Sequence, residues 1–126
     1  MRKVLFLGGL VAAGLLLAAC STAEPTPTLT SAAPAFLLKW GNSGDGQFRG
    51  PNSVATDAQG NVYVTDGDNH RIQKFTSTGQ FITKWGRQGS GDGQFNAPFG
   101  VATDAQGNVY VADLDNDRIQ KFGQKP

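Results

Sequence analysis

From Phe36 onward, short runs of β-branched and aromatic residues are separated by glycine-bearing polar turns, the pattern of strands joined by hairpins. A first strand, a, is expected from about Ser53 to Asp57. Asp57-Ala58-Gln59-Gly60-Asn61 then turns the chain, with Gly60 suited to a left-handed position and Asp57 able to cap backbone amides. Strand b, Asn61 to Asp66, carries Val62, Tyr63 and Val64 without polar interruption, which predicts cover on both sheet faces. Strand c is Arg71 to Phe75. After the turn Ser77-Thr78-Gly79 comes strand d, Gln80 to Trp85, in which Phe81, Thr83 and Trp85 share one face. No helix is predicted after residue 20.

The pattern then recurs at an offset of 47 residues. Val54 to Val64 returns unchanged as Val101 to Val111, and Arg71 to Phe75 returns as Arg118 to Phe122. Residues 44–75 and 91–122 differ at seven of 32 positions: Arg49/Asn96, Gly50/Ala97, Asn52/Phe99, Ser53/Gly100, Thr65/Ala112, Gly67/Leu114 and His70/Asp117. Upstream, Phe36, Lys39, Trp40 and Gly41 match Phe81, Lys84, Trp85 and Gly86 at an offset of 45. A repeat of this length is a unit that cannot bury its own faces and must stack on another.

Pro51, the run VATDAQGNVYVTDGDNHRIQKF and the preceding GDGQF resemble the NHL repeat, and the resemblance covers essentially all of residues 36–122. It implies an all-β fold of β-propeller blades, usually six to a ring, with strand a lining the central channel and strand d at the rim. The small Ala55 and Ala102 fit a crowded axis. The strands of this chain would run d-abcd-abc, eight strands or two four-stranded blades, with repeats at about 44–86 and 91–122. Closed propellers need roughly four to eight blades. Two blades leave flanks open, and the first d, Phe36 to Trp40, lacks a sheet of its own. The expected solution is a homo-oligomer, a trimer favoured, in which each chain lends Phe36 to Trp40 to its neighbour and the ring closes if each blade turns one sixth of a circle. A longer propeller protein as partner, or a truncated gene, are the alternatives.

Ahead of the repeats, Arg2 and Lys3 precede a 14-residue apolar run, Val4 to Leu17, shorter than the roughly 20 residues of a spanning helix. It reads as a signal peptide over residues 1–19. Leu17-Ala18-Ala19-Cys20 resembles the lipobox of bacterial lipoproteins, which implies acylation of Cys20 and a palmitate-bearing anchor on the extracytoplasmic side of a bacterial membrane. Two acyl chains bury on the order of 30 methylenes at about 0.8 kcal/mol each, an effectively permanent hold. Ser21 is compatible with outer-membrane sorting. The stretch from Ser21 to Ala35, rich in Thr, Ser, Pro and Ala, cannot bury a core and is expected to be a disordered tether. The divisions are therefore 1–19, 20–35 and 36–126.

Composition narrows function. One cysteine and one histidine leave no disulfide framework or His-rich metal cage. Without Arg2 and Lys3 the chain has nine bases against ten acids, which with export argues against nucleic acid. Relatives of the fold include lyases and lactonases with a metal in the channel, but those sites need inward histidines or glutamates. Here the only glutamate is Glu24, and the channel strands offer Val, Ala and Thr. His70 reads as a loop histidine. Asp66-Gly67-Asp68-Asn69 and Asp113-Leu114-Asp115-Asn116 lack the spacing and terminal glutamate of an EF-hand and read as turns. Gly44-Asp45-Gly46-Gln47-Phe48 lacks the lysine of a phosphate loop, and Phe48 reads as a plug between blades.

No catalytic residue, metal or cofactor is expected. Six of the seven differences fall in the loops before strand a and between b and c, which in a propeller emerge on one face. Arg49, Asn52, Ser53, Gly67, His70, Asn96, Phe99, Gly100, Leu114 and Asp117 are the candidate contact residues, for an extracellular protein or glycan. The expected function is that of a membrane-anchored, non-catalytic binding or scaffold module. A lyase or lactonase, or a fragment of a longer protein, is the alternative.

Overall fold

The computed structural model describes residues 22–23, 25–27, 32–42 and 46–124. Residues 1–19, read as a signal peptide, and Cys20 lie outside them, as do Gly44 and Asp45. The chain divides into two units, Met1–Ala35 and Phe36–Pro126. In the first, the described residues are exposed and carry no regular secondary structure.

The second unit is all β. Strands β1 (Pro51–Thr56), β2 (Val62–Asp66), β3 (Arg71–Phe75) and β4 (Phe81–Trp85) form a four-stranded antiparallel sheet in chain order. Strands β5 (Pro98–Thr103), β6 (Val109–Asp113) and β7 (Arg118–Phe122) form a three-stranded one. The a-to-b turn is held as its sequence requires: Gly60 has φ +83° and Asp57 Oδ1 accepts the amides of Gln59 and Asn61 at 3.0 and 2.9 Å. Two details differ from expectation. Gly67–Asn69 and Leu114–Asn116 wind into single 3-10 turns, each closed by a left-handed residue, His70 or Asp117. The described residues also form seven strands rather than eight.

The missing strand is the first d. Phe36 to Trp40 joins no ladder, and Phe36 and Leu37 are 78% and 89% exposed. The cause is the absence of a neighbour. A rim strand exists only through hydrogen bonds to a strand c, and among the described residues no strand c precedes this segment. Trp40 nonetheless takes its repeat position, 5.9 Å from Phe75, as Trp85 lies 5.6 Å from Phe122.

The core lies between and beside the sheets. Tyr63, Ile72, Phe95, Val109 and Val111 form one cluster, with Trp85, Val101 and Phe122 packed against it. Phe95, fully enclosed, fills the space between the blades, the plug role read for its counterpart Phe48. A second cluster, Val62, Val64 and Phe75, is covered on the outer flank by Trp40 and Phe48. Strand b of the first repeat is therefore buried at every position, whereas β6 alternates, with Tyr110 and Ala112 only half-buried. The cover expected on both faces of strand b holds in the first repeat, and in the second the described residues supply it on one face only.

Candidate interaction face

The loops before strand a and between b and c come together within each repeat. Gly67 N donates to Gly50 O at 3.0 Å and Asp68 N to Arg49 O at 3.1 Å; Asp115 N donates to Asn96 O at 3.1 Å. Beneath them lies a buried carboxylate. Asp66 accepts from Arg49 N (2.6 Å), Asn69 Nδ2 (3.0 Å), Arg71 Nε (2.7 Å) and Gln73 Nε2 (2.9 Å). Asp113 accepts from Asn96 N (2.7 Å), Asn116 Nδ2 (2.8 Å), Arg118 Nε (2.8 Å) and Gln120 Nε2 (3.1 Å). Burial pushes the Asp113 carboxyl up, but the donors of Asn116, Asn96, Arg118 and Gln120 outweigh it and hold it below the ordinary carboxylate range. Each aspartate is saturated with donors, so its oxygens brace the loop.

The same loops bolt the blades together. His70 Nδ1 accepts the amide of Ala97 at 3.1 Å. Thr65 Oγ1 accepts Ser53 N at 2.8 Å and donates to Phe99 O at 2.9 Å, and Asn52 Nδ2 reaches Pro98 O at 3.3 Å. The bonds to Ala97, Phe99 and Pro98 span the two repeats, and the one from Ser53 ties Thr65 within its own sheet.

A family model described as the NHL repeat matches residues 48–75 and 95–122. The chain carries two NHL repeats. Each match starts at the plug phenylalanine and ends at the last residue of strand c. Residues of the chain are 42% identical over 56 positions to Protein brain tumor of Drosophila melanogaster, covering 43% of this chain and 5% of that one. They are 44% identical over 48 positions to the B-box type zinc finger protein ncl-1 of Caenorhabditis elegans, covering 36% of this chain and 6% of that one. The chain thus spans about a twentieth of the length of these curated relatives. A crystal structure of an auxiliary nutrient binding protein from Bacteroides thetaiotaomicron superposes with TM-score 0.48 and 23% identity, over 60% of this chain and 23% of that one.

Within the NHL repeats, the ten candidate contact residues do not form one uniform surface. Arg49, Asn52, Phe99, Leu114 and Asp117 are exposed. Ser53, His70, Asn96 and Gly100 are half-buried, and Gly67 is buried. Gly67 is confined by its neighbours: a Cβ there would meet Asn52 Nδ2 at 2.3 Å and Gly50 O at 3.0 Å. Its counterpart is Leu114, where Phe99 stands in the place of Asn52, and both apolar side chains are 54% exposed. His70 and Asn52 serve the seam between repeats, which the sequence alone did not disclose. Thr65 was missed as a seam residue, and Asn52/Phe99 and Ser53/Gly100, read as loop differences, lie within β1 and β5, which start earlier than expected. Gln124, which donates to Tyr63 OH at 3.0 Å, left no sequence signal.

Proposed function

We propose that this chain is a non-catalytic NHL-repeat binding module, held at the extracytoplasmic side of a bacterial membrane by lipid on Cys20 and completing its propeller by self-association, with a trimer favoured. Ligand contact falls on the loop face of the second repeat. The observation that carries this reading is the exposed pair Phe99 and Leu114, which replaces Asn52 and Gly67 of the first repeat. Aromatic and aliphatic anchors on a polar rim are what a protein or glycan surface binds. The acidic groups behind them are already committed to the loops, which favours a contact surface over a reaction site.

Two measurements test it. Cys20→Ser should move the chain from the membrane to the soluble fraction of a bacterial host and abolish palmitate labelling; unchanged fractionation overturns the anchor. Glycan arrays and envelope-extract capture with the chain and with its Phe99→Ala, Leu114→Ala double variant test the face. Ligands retained by the parent should be lost by the variant, and equal retention overturns the assignment.

A further inference from the structure

The seam between the two repeats is a template for a second seam whose halves the described residues leave open. Its first-repeat half is Tyr63, Thr65 and Ile72; its second-repeat half is Phe95, Val109, Val111 and Phe122. One repeat further on, the first half becomes Tyr110, Ala112 and Ile119, which the described residues leave open: Tyr110 and Ala112 are half-buried, and Ile119 is 66% exposed where Ile72 is wholly enclosed. One repeat back, the second half becomes Phe48, Val62, Val64 and Phe75, already assembled under Trp40. The second sheet also ends on β7, a free edge, where the first sheet adds FITKW as β4. The chain carries FLLKW at 36–40, outside any ladder.

We infer that residues 36–40 of one copy form the rim strand on β7 of a second copy, in the register Ile119↔Trp40, Gln120↔Lys39, Lys121↔Leu38 and Phe122↔Phe36. This register copies Ile72↔Trp85, Gln73↔Lys84, Lys74↔Thr83 and Phe75↔Phe81 inside the chain. The inference rests on self-association as proposed above and adds its geometry. Continuity with the existing seam argues for a second copy as the occupant.

Charge complementarity argues for it independently. Inside the chain His70 accepts the Ala97 amide, and Asn96 precedes that alanine. Between copies the same positions are Asp117, Gly50 and Arg49. Asp117 shares the backbone posture of His70 (φ 53° and 50°), and Gly50 shares that of Ala97 (φ 64° and 54°). A carboxylate accepts the same amide hydrogen and also pairs with the arginine beside it. Three of the seven differences between repeats thus become one matched change, a neutral bond within the chain and an ionic one between chains. The contact is heterologous and runs head to tail, so it gives a ring or an open fibre, never a two-fold dimer.

The whole chain with Cys20→Ser is a cysteine-free background for the test. Leu38→Cys and Lys121→Cys variants, mixed and mildly oxidised, should yield a covalent dimer. Facing residues of an antiparallel pair have Cα atoms about 4.5–5.5 Å apart, within disulfide reach. Leu37→Cys with Lys121→Cys, one residue out of register, should give much less. Asp117→Arg and Arg49→Asp should each weaken association at least about tenfold, and a chain carrying both should regain it. Ile119→Glu, at an exposed position, should leave the fold intact and the chain monomeric. A chain monomeric at every concentration in sedimentation overturns self-association and this inference together. Oligomers that form without the 38–121 bridge, or that ignore the charge exchange, overturn the inference and leave self-association standing.

Discussion

Arg71–Phe75 and Arg118–Phe122 carry the same five residues and pair with strand b in the same register, Asp66↔Arg71 through Val62↔Phe75 and Asp113↔Arg118 through Val109↔Phe122. Their burial differs. Ile72 is closed off by the following blade, and its twin Ile119 faces outward. Tyr63 is buried and Tyr110 only partly so, although the eleven residues around each are identical. What is the same in the two repeats is whatever a repeat makes by itself: the hairpin turn at Asp57 or Asp104, the ladder, the braced aspartate at 66 or 113. What differs is supplied by the next blade. Stability in such an array divides into a term for each repeat and a term for each seam, and the described residues form two repeats and one seam.

The sharpest break in that comparison is a pair of identical substitutions. Ile72→Ala should cost about 2–5 kcal/mol, the range for emptying a packed aliphatic site. Ile119→Ala should cost less than about 0.5 kcal/mol in dilute solution, as for a surface change. Urea midpoints of the two variants in the Cys20→Ser background give the difference. Equal costs would mean that Ile119 is covered even in the monomer. A cost at Ile119 that grows with protein concentration would show that a second copy covers it.

Next in size is the exchange of loop residues at Gly67 and Leu114. Gly67→Leu forces a side chain against Asn52 Nδ2 and the backbone oxygen of Gly50, so a loss of about 1–3 kcal/mol is expected. Leu114→Gly removes an exposed side chain and should cost under about 1 kcal/mol, mostly in backbone entropy. Adding Asn52→Phe to Gly67→Leu recreates the second repeat's pairing and should recover most of the loss. If it does not, the two loops differ for a reason other than this contact.

The strands were legible because their signals are local. Alternation, β-branched runs and glycine turns fix β2, β3 and β4 to within a residue, and the offset of 47 duplicates them. The segment Phe36 to Trp40 carries the residues of a strand and forms no ladder, because the described residues offer it no partner strand. Ladder hydrogen bonds are properties of pairs, and a single sequence displays only one member. The contact face was legible only as a set of differing positions. Hydrogen bonding then sorted them: Phe99 and Leu114 are exposed, while His70 accepts the Ala97 amide and Asn52 donates to Pro98 O across the seam, and backbone groups leave no trace in side-chain identity.

A smaller difference between repeats is expected at Thr65. Its hydroxyl is buried and bonds both Ser53 N and Phe99 O, so Thr65→Ala should cost about 1–2 kcal/mol by leaving those groups unmatched. Ala112→Thr in the second repeat places a hydroxyl at a half-exposed position and should be near neutral. Thermal unfolding of both variants separates the seam bond from any intrinsic preference of the strand for threonine.

Acid should distinguish the repeats least, because the turn carboxylates are built alike. Burial pushes Asp57 up, but hydrogen bonds from Asn61, Tyr63 and Gln59 hold it below the ordinary range. The Asn108 side chain, with further help from the amides of Asn108 and Gln106 and from Tyr110 OH, holds Asp104 at about 2. A carboxylate with a folded pKa below its unfolded value of about 3.9 stabilises the fold above that value and loses its contribution as pH falls toward the folded one. The melting temperature should therefore hold from about pH 7 to 5 and fall between about pH 4 and 2. Asp57→Asn and Asp104→Asn should each lower the neutral-pH melting temperature slightly and flatten the acid limb by similar amounts. A flattening confined to Asp57 would mean that the first turn depends on the seam beside it, and the division into repeat and seam terms would then have to be redrawn at residue 57.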